Sequence, residues 1–113
     1  MRITGTVQGR EYPPGKKQWT GHLDLQLDSI TNRVSGTIRW VSNNYDGTEN
    51  VEGSFDGNTM EFKGVGQVEN HGRFKVAICE HTATLERDSI KVYWKGPGSV
   101  PDGEASGRVI IRE

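Results

Sequence analysis

The residues of this chain best suited to binding chemistry are its three tryptophans, Trp19, Trp40 and Trp94. An indole presents a large apolar face and one N–H donor, so a cluster of indoles can hold a flat or partly apolar ligand. Phe74 adds a fourth ring, which the strand pattern described below places at the same level. A binding wall results only if the fold brings these four rings to one place.

Polar groups follow Trp40 closely in the segment "WVSNNY". The amides of Asn43 and Asn44 and the phenol of Tyr45 can each donate and accept hydrogen bonds, and so could orient the polar end of a ligand. The alternative for these three is ordinary solvated loop surface, and the alternative for the indoles is that they pack together and plug the interior. The predicted ligand-binding residues are Trp19, Trp40, Trp94, Phe74, Asn43, Asn44 and Tyr45.

Signals for metal binding or catalysis are weak. His22, His71 and His81 are scattered, without the short spacing of a zinc site. By our strand phase Cys79 and His81 both point outward, and a lone cysteine is usually a small packed side chain. We therefore predict no cofactor, no metal and no catalytic residue. A barrel enzyme with His71 and Glu69 as acid and base is a third hypothesis.

The elements that must position these residues are strands. Apolar and polar residues alternate with period two along most of the chain, and no segment has the helical period of about 3.6 residues. About eight such runs, without a crossover helix between them, predict an antiparallel meander. Residues 1–113 are thus predicted to form a single domain, a small all-β, eight-stranded antiparallel up-and-down β-barrel. The hydrophobic content of 32% fits one thin core.

The connections between the runs alternate in length. "DSITNR", "DGN" and "ERDS" are short and rich in turn residues, whereas "YPPGKK", "SNNYDGTEN", "GQVENHG" and "KGPGSVPDGE" are longer. Successive loops of a meander lie at opposite ends of the barrel, so one end is predicted to be closed and the other to be an open mouth. Inward parity places the three tryptophans at the mouth. The sixth strand is predicted to begin near Phe74, with Val76 and Ile78 inward, and to carry a bulge before Leu85.

Glycines recur at the centre of apolar runs such as "ITGTV", "WTGHL" and "VSGTI". Glycine weakens a strand and packs nothing, so this recurrence needs a geometric reason. One reason is the sharp coiling that closes a small barrel, and another is room left below the tryptophans. The predicted inward glycines are Gly5, Gly21, Gly36, Gly53, Gly64 and Gly107.

Charge is nearly balanced, with 14 Lys and Arg against 15 Asp and Glu, and no segment concentrates one sign. Nucleic acid and anionic membranes reward a basic patch, so neither is a predicted partner. The single cysteine excludes an internal disulfide, and the first residues lack the apolar stretch of a signal peptide. We expect a cytoplasmic protein or a domain of a larger one, and the sequence leaves a homo-oligomer open.

The segment "GTIRWVSNNYDGTENVEGSF" and the glycine-centred strands resemble the avidin and streptavidin family of calycin barrels. The resemblance implies a barrel with a ligand-type mouth, in which Trp40 closes one strand before an Asn-Asn-Tyr segment and Trp19 matches the first tryptophan. The family's polar biotin-binding cluster is not matched, since "WTGHLDL" follows Trp19 and Ile38 stands where a tyrosine is expected. The resemblance therefore does not predict biotin as the ligand.

Two functions of different classes follow from these observations. The leading hypothesis is a non-enzymatic binding protein that holds a small, partly apolar ligand at the open end of the barrel. The alternative is a protein-interaction or inhibitor domain with a solidly packed interior, whose partner is another protein. The fold alone does not choose between them.

Overall fold

The computed structural model describes residues 1–113 as eight β-strands without a helix. No helix is therefore available to cross a membrane. The strands are β1 (Arg2–Glu11), β2 (Gln18–Asp28), β3 (Arg33–Ser42), β4 (Tyr45–Asp56), β5 (Thr59–Asn70), β6 (Glu80–Glu86), β7 (Ser89–Lys95) and β8 (Gly103–Arg112).

The strands form a closed barrel in sequence order, which confirms the predicted fold. Each strand pairs antiparallel with the next, and β8 returns to pair with β1. Closure gives a backbone partner to both edges of what would otherwise be an open sheet. The register places Gly21 of β2 between Val7 of β1 and Trp40 of β3.

Short turns close one end of the barrel and longer connections surround the other, as the loop lengths predict. The turns after β2, β4 and β6 form the closed end, whereas residues 12–17, 71–79 and 96–102 lie at the mouth. The connection between β3 and β4 differs from the prediction. Ser42 pairs directly with Tyr45, so that only Asn43 and Asn44 form the turn and the rest of "SNNYDGTEN" belongs to β4. Asn44 has a φ of 66°, a conformation that an asparagine tolerates better than most residues.

The predicted start of the sixth strand is wrong. Residues 71–79 form a mouth connection and β6 begins at Glu80. Period-two alternation fails in this connection because its backbone meets its neighbours only at single points, such as the isolated bridge between Phe74 and Tyr45. Val76 is accordingly buried, whereas Phe74 and Ile78 are 45% and 41% exposed.

The irregularity predicted for the sixth run lies instead in the β4–β5 hairpin. The register shifts between Thr48 and Glu49 and again between Asn50 and Val51. At each shift β5 carries one extra residue, Val68 and then Val65, because Gln67 pairs with Glu49 and Gly64 pairs with Val51. Such bulges bend a strand and redirect its side chains. Both extra valines point outward and are about half exposed.

The glycines serve mainly to bring strands close together. A Cβ at Gly53 would collide with the carbonyl of Glu61, and one at Gly107 with the carbonyl of Thr6, each on the adjacent strand. Close approach of this kind supports the coiling interpretation. At Gly21 the added Cβ would lie 2.7 Å from Cζ3 of Trp40. The room left by this glycine is filled by an indole.

An apolar core of 18 buried residues fills the barrel. Near the closed end it consists of side chains adjacent to the tight turns, among them Leu27, Val34, Met60 and Ile90. Phe62 packs one layer above Met60 and is also buried. Met60 and Phe62 thus form the floor of the interior, with Phe55 partly buried at its edge.

Candidate functional site

The three tryptophans line one half-open cavity of about 40 Å³ at the mouth. One water requires about 10–15 Å³, and pockets that enclose drug-sized ligands measure about 300–1,000 Å³. The cavity therefore fits a chemical group of a few heavy atoms. Val76, Ala77 and Val100, from the two long mouth connections, form its apolar rim. Its other lining residues are Glu11, Trp19, Trp40, Cys79, His81 and Trp94.

The indoles meet at angles rather than in one stack. The rings of Trp40 and Trp94 are 5.4 Å apart and tilted by 59°. Trp94 donates its indole N–H to the carbonyl of Pro101 at 3.3 Å, which fixes the ring against the connection that follows β7. Trp19 is half-buried and packs edge-on against Tyr45 at 5.3 Å. Two tryptophans are thus core residues and the third is a rim residue.

Glu11, at the end of β1, places a carboxylate in the cavity wall with only 5% of the residue exposed. One of its oxygens accepts the backbone N–H of Lys17 at 3.1 Å, and the other accepts the indole N–H of Trp19 at 3.3 Å. Glu11 takes part in none of the six ion pairs of the protein. It is a buried carboxylate held by neutral donors alone.

A second polar pair lies beneath the indoles, where Nε2 of His81 meets Oε1 of Glu49. Both side chains are at least 98% buried, at 1% and 2% exposure. The indole N–H of Trp40 points to the same carboxylate oxygen at 3.5 Å, and the Trp40 ring lies parallel to the imidazole within 18°. Phe62 covers the imidazole at 5.2 Å. The pair is therefore enclosed by aromatic rings.

Two atoms of this pair have no hydrogen-bond partner within the protein: Oε2 of Glu49 and Nδ1 of His81. Unpartnered buried polar atoms are rare because each costs about 1–3 kcal/mol of stability. Gly64 makes room for the carboxylate, since a Cβ there would lie 3.0 Å from Oε2. His81 also lines the cavity, so the unpartnered Nδ1 belongs to a residue of the cavity wall.

Sequence reasoning missed Glu11, Glu49 and His81 as interior residues. Glu11 and Glu49 continue the inward alternation of their strands, two residues beyond Gly9 and two before Val51. Extending the parity to the strand ends would have found both. The predicted outward orientation of His81 is wrong because it counts the strand alternation from Phe74. β6 begins only at Glu80, and within it His81 and Ala83 both point inward.

Burial, together with the smaller effect of the carboxylates of Glu49 and Asp102, raises the pKa of the Cys79 thiol to about 12. Cys79 lines the cavity two residues before His81 in the chain, but its thiol makes only a long contact, 3.7 Å, to the carbonyl of Ala77. A thiol with so high a pKa is almost entirely protonated near neutral pH and is a poor nucleophile. The geometry gives no catalytic thiol.

The other predicted site residues lie outside the cavity. Asn43 and Asn44 occupy the exposed β3–β4 turn, where the carbonyl of Asn44 accepts the backbone N–H of Phe74 at 3.0 Å. Phe74 lies on the outside against Tyr45 at 5.5 Å, and the ammonium of Lys17 sits 5.5 Å from the centre of the Tyr45 ring. These residues brace the mouth connections. Their assignment to a ligand stays a prediction.

The remaining acid–base candidates are exposed. His71 and Glu69 form a hydrogen-bonded pair at 2.8 Å, with side chains 64% and 59% exposed, away from the cavity lining. No group of three or more His, Cys, Asp or Glu side chains is arranged to hold a metal ion.

Searches against protein-family models, curated proteins and solved structures found no match for this chain.

Proposed function

We propose that this protein is a non-enzymatic binding protein that holds a small, partly apolar ligand at the mouth of its barrel. The observation that carries the proposal is the convergence of Trp19, Trp40 and Trp94, from three different strands, on one half-open cavity. Glu11 and His81 line the same cavity. Apolar faces with a few fixed polar groups are typical of small-ligand sites.

The size of the cavity defines what the ligand inserts. About 40 Å³ accommodates a compact group, while the rest of a larger molecule would extend between the mouth connections. Trp40 and Trp94 are buried and help to hold the core together, whereas Trp19 is half-buried at the rim. Replacing Trp19 therefore separates binding from folding better than replacing Trp40.

The test is a screen of a chemically diverse fragment library by ligand-observed NMR, followed by titration of tryptophan fluorescence. We expect fragments of a few heavy atoms to bind the wild-type protein and to lose at least about tenfold in affinity with Trp19→Ala, because one wall of the site is removed. Ile30→Ala is the matched control, since Ile30 is 92% exposed in a turn at the closed end. Fragments that bind a folded Trp19→Ala protein as tightly as wild type would refute the proposal.

A separate observation favours the alternative, a protein-interaction domain. β5 pairs with β6 only as far as Lys63, so its last residues present an edge that β6 does not cover. The exposed apolar side chains of Val65, Val68 and Ile78 belong to β5 and to the connection beyond it. A screen without any bound fragment, together with tryptophan emission that resists quenching by acrylamide, would favour this function over the first.

A further inference from the structure

The cavity wall combines aromatic faces with a carboxylate that lacks a counterion. Three indoles line it, and the only strongly acidic side chain among its lining residues is Glu11, which is bonded to neutral N–H groups. The imidazole of His81 is the only basic side chain in the lining, and it is directed by Nε2 to the carboxylate of Glu49. The wall therefore contains a carboxyl group with which no Lys or Arg forms an ion pair.

A second observation gives the sign of the field at the same place. The Cys79 thiol lies in the cavity wall, and its pKa is raised first by burial and then by the carboxylates of Glu49 and Asp102, the two charges near it that disfavour a negative charge there. The Asp102 carboxylate is held at the rim by the backbone N–H of Gly96 at 2.9 Å. An anion would be repelled at this position, and a cation would be attracted.

Indole faces also favour cations, because the ring quadrupole places negative charge on the face. The mouth already shows such a contact, since the Lys17 ammonium lies over the Tyr45 ring next to Trp19. A compact cation with apolar substituents gains from both the rings and the carboxylate. A strongly hydrated inorganic cation would instead lose its water shell against apolar walls.

We propose that the ligand group held in this cavity is a small alkylated ammonium, enclosed by Trp19, Trp40 and Trp94 and balanced by the carboxylate of Glu11. This inference rests on the proposed function and specifies its ligand class. A methylated ammonium contains only a few heavy atoms, in keeping with a cavity of about 40 Å³. The remainder of the ligand would leave through the mouth between Val76 and Val100.

The experiment compares two probes of equal shape. One is choline, and the other is the neutral alcohol in which carbon replaces its quaternary nitrogen. Binding of each to the 113-residue protein is measured by isothermal titration calorimetry and by tryptophan fluorescence. We expect choline to bind at least about tenfold more tightly, in keeping with the strength of desolvated cation–π contacts.

Two variants locate the effect. Glu11→Gln removes the charge and nearly keeps the shape, but its amide NH2 group cannot accept one of the two N–H donors that Glu11 binds. It should therefore reduce choline affinity by about tenfold or more and the affinity for the neutral alcohol by clearly less, about threefold at most. Trp19→Phe keeps an aromatic ring with a weaker cation–π face and should reduce choline affinity by about threefold to tenfold. It also serves as the second variant if Glu11→Gln does not fold.

The outcomes separate this inference from the proposed function. Equal affinity for the two probes, or equal losses for both in Glu11→Gln, would overturn the cationic ligand class and leave the binding function intact. Binding of neutral or anionic fragments without binding of choline would do the same. Failure of every fragment in the library to bind would remove both proposals.

Discussion

The two ends of the barrel solve different physical problems. At the closed end, side chains such as Leu27, Val34 and Met60 form an interior without a polar group. At the mouth the interior contains all three buried polar residues of the protein: Glu11, Glu49 and His81. The closed end is therefore a purely apolar core, whereas the mouth adds buried carboxyl and imidazole groups that apolar packing does not require.

This difference supports the proposed position of the site at the mouth. Burying a polar group is unfavourable unless it is fully hydrogen-bonded, and Glu49 and His81 each retain an unpartnered atom. Natural proteins depart from the rules of stable packing mainly at functional sites. The same end holds the cavity and the long connections, so three independent features coincide there.

The sharpest test of this comparison is to remove one partner of the buried pair. Glu49→Leu would leave the imidazole of His81 without its acceptor in an apolar interior, and we expect a loss of about 3–5 kcal/mol in the free energy of unfolding. Urea denaturation measures it. Replacing both residues, as Glu49→Leu with His81→Leu, should recover most of the loss because neither member of the pair is left without its partner, although the Trp40 indole N–H loses its acceptor. If the double variant instead lost as much free energy of unfolding as the two single variants together, the pair would not be a cost that an apolar interior avoids.

A substitution at the closed end should act on stability alone. Met60 is 1% exposed, so Met60→Ala should create a cavity and lower the free energy of unfolding by about 2–5 kcal/mol. Binding of any fragment that recognises the mouth should remain within about twofold, provided the measurement is made where the variant is folded. Trp19→Ala is the converse variant, with weak effects on denaturation and a large one on binding. If Met60→Ala weakened binding as strongly, the two ends would not be separable.

Alkaline pH should affect the mouth through Cys79. Its pKa is raised to about 12 in the folded state, above the unfolded value of about 8.5. Folding therefore favours the protonated thiol, and this contribution is fully present below the unfolded pKa and is lost as pH rises through the folded pKa. We expect iodoacetamide to alkylate the thiol of the native protein slowly near pH 8. After denaturant is added, the alkylation rate should rise to that of an exposed cysteine.

The matched control is Cys79→Ala. Between pH of about 9 and 12, the stability of the wild-type protein should fall more steeply with pH than that of this variant. Only the wild type has a thiol that stays protonated in the folded state and ionises once unfolding exposes it. Equal slopes for the two proteins, or rapid native alkylation, would place the thiol in a more solvated environment than the fold indicates.

The barrel itself followed from local information. Alternation along β2, from Trp19 to Leu27, is visible in the sequence because each inward residue has outward polar neighbours. Turn residues such as Gly57 and Asn58 mark the closed end in the same way. The placement of the tryptophans at the mouth needed only this alternation and the order of short and long loops.

The misplaced residues share one physical cause. Phe74, Ile78 and His81 lie in or just after a connection, where a count of alternating residues has no fixed starting point. A shift of one residue in the start of β6 reverses the face of every side chain in that strand. The loop prediction for "SNNYDGTEN" is wrong for a different reason. Its polar residues are typical of a loop, but from Tyr45 onward its backbone pairs with β3 as part of β4.

The sequence by itself determined the strand period, the turns and the end at which the tryptophans lie, because these depend on residues near one another in the chain. Only the tertiary structure decided that Glu49 meets His81 across 32 residues of sequence. Their contact depends on the two bulges of β5, on the space left by Gly64 and on closure of the barrel. Each of these is a matter of register between strands, and register is a property of the folded sheet as a whole.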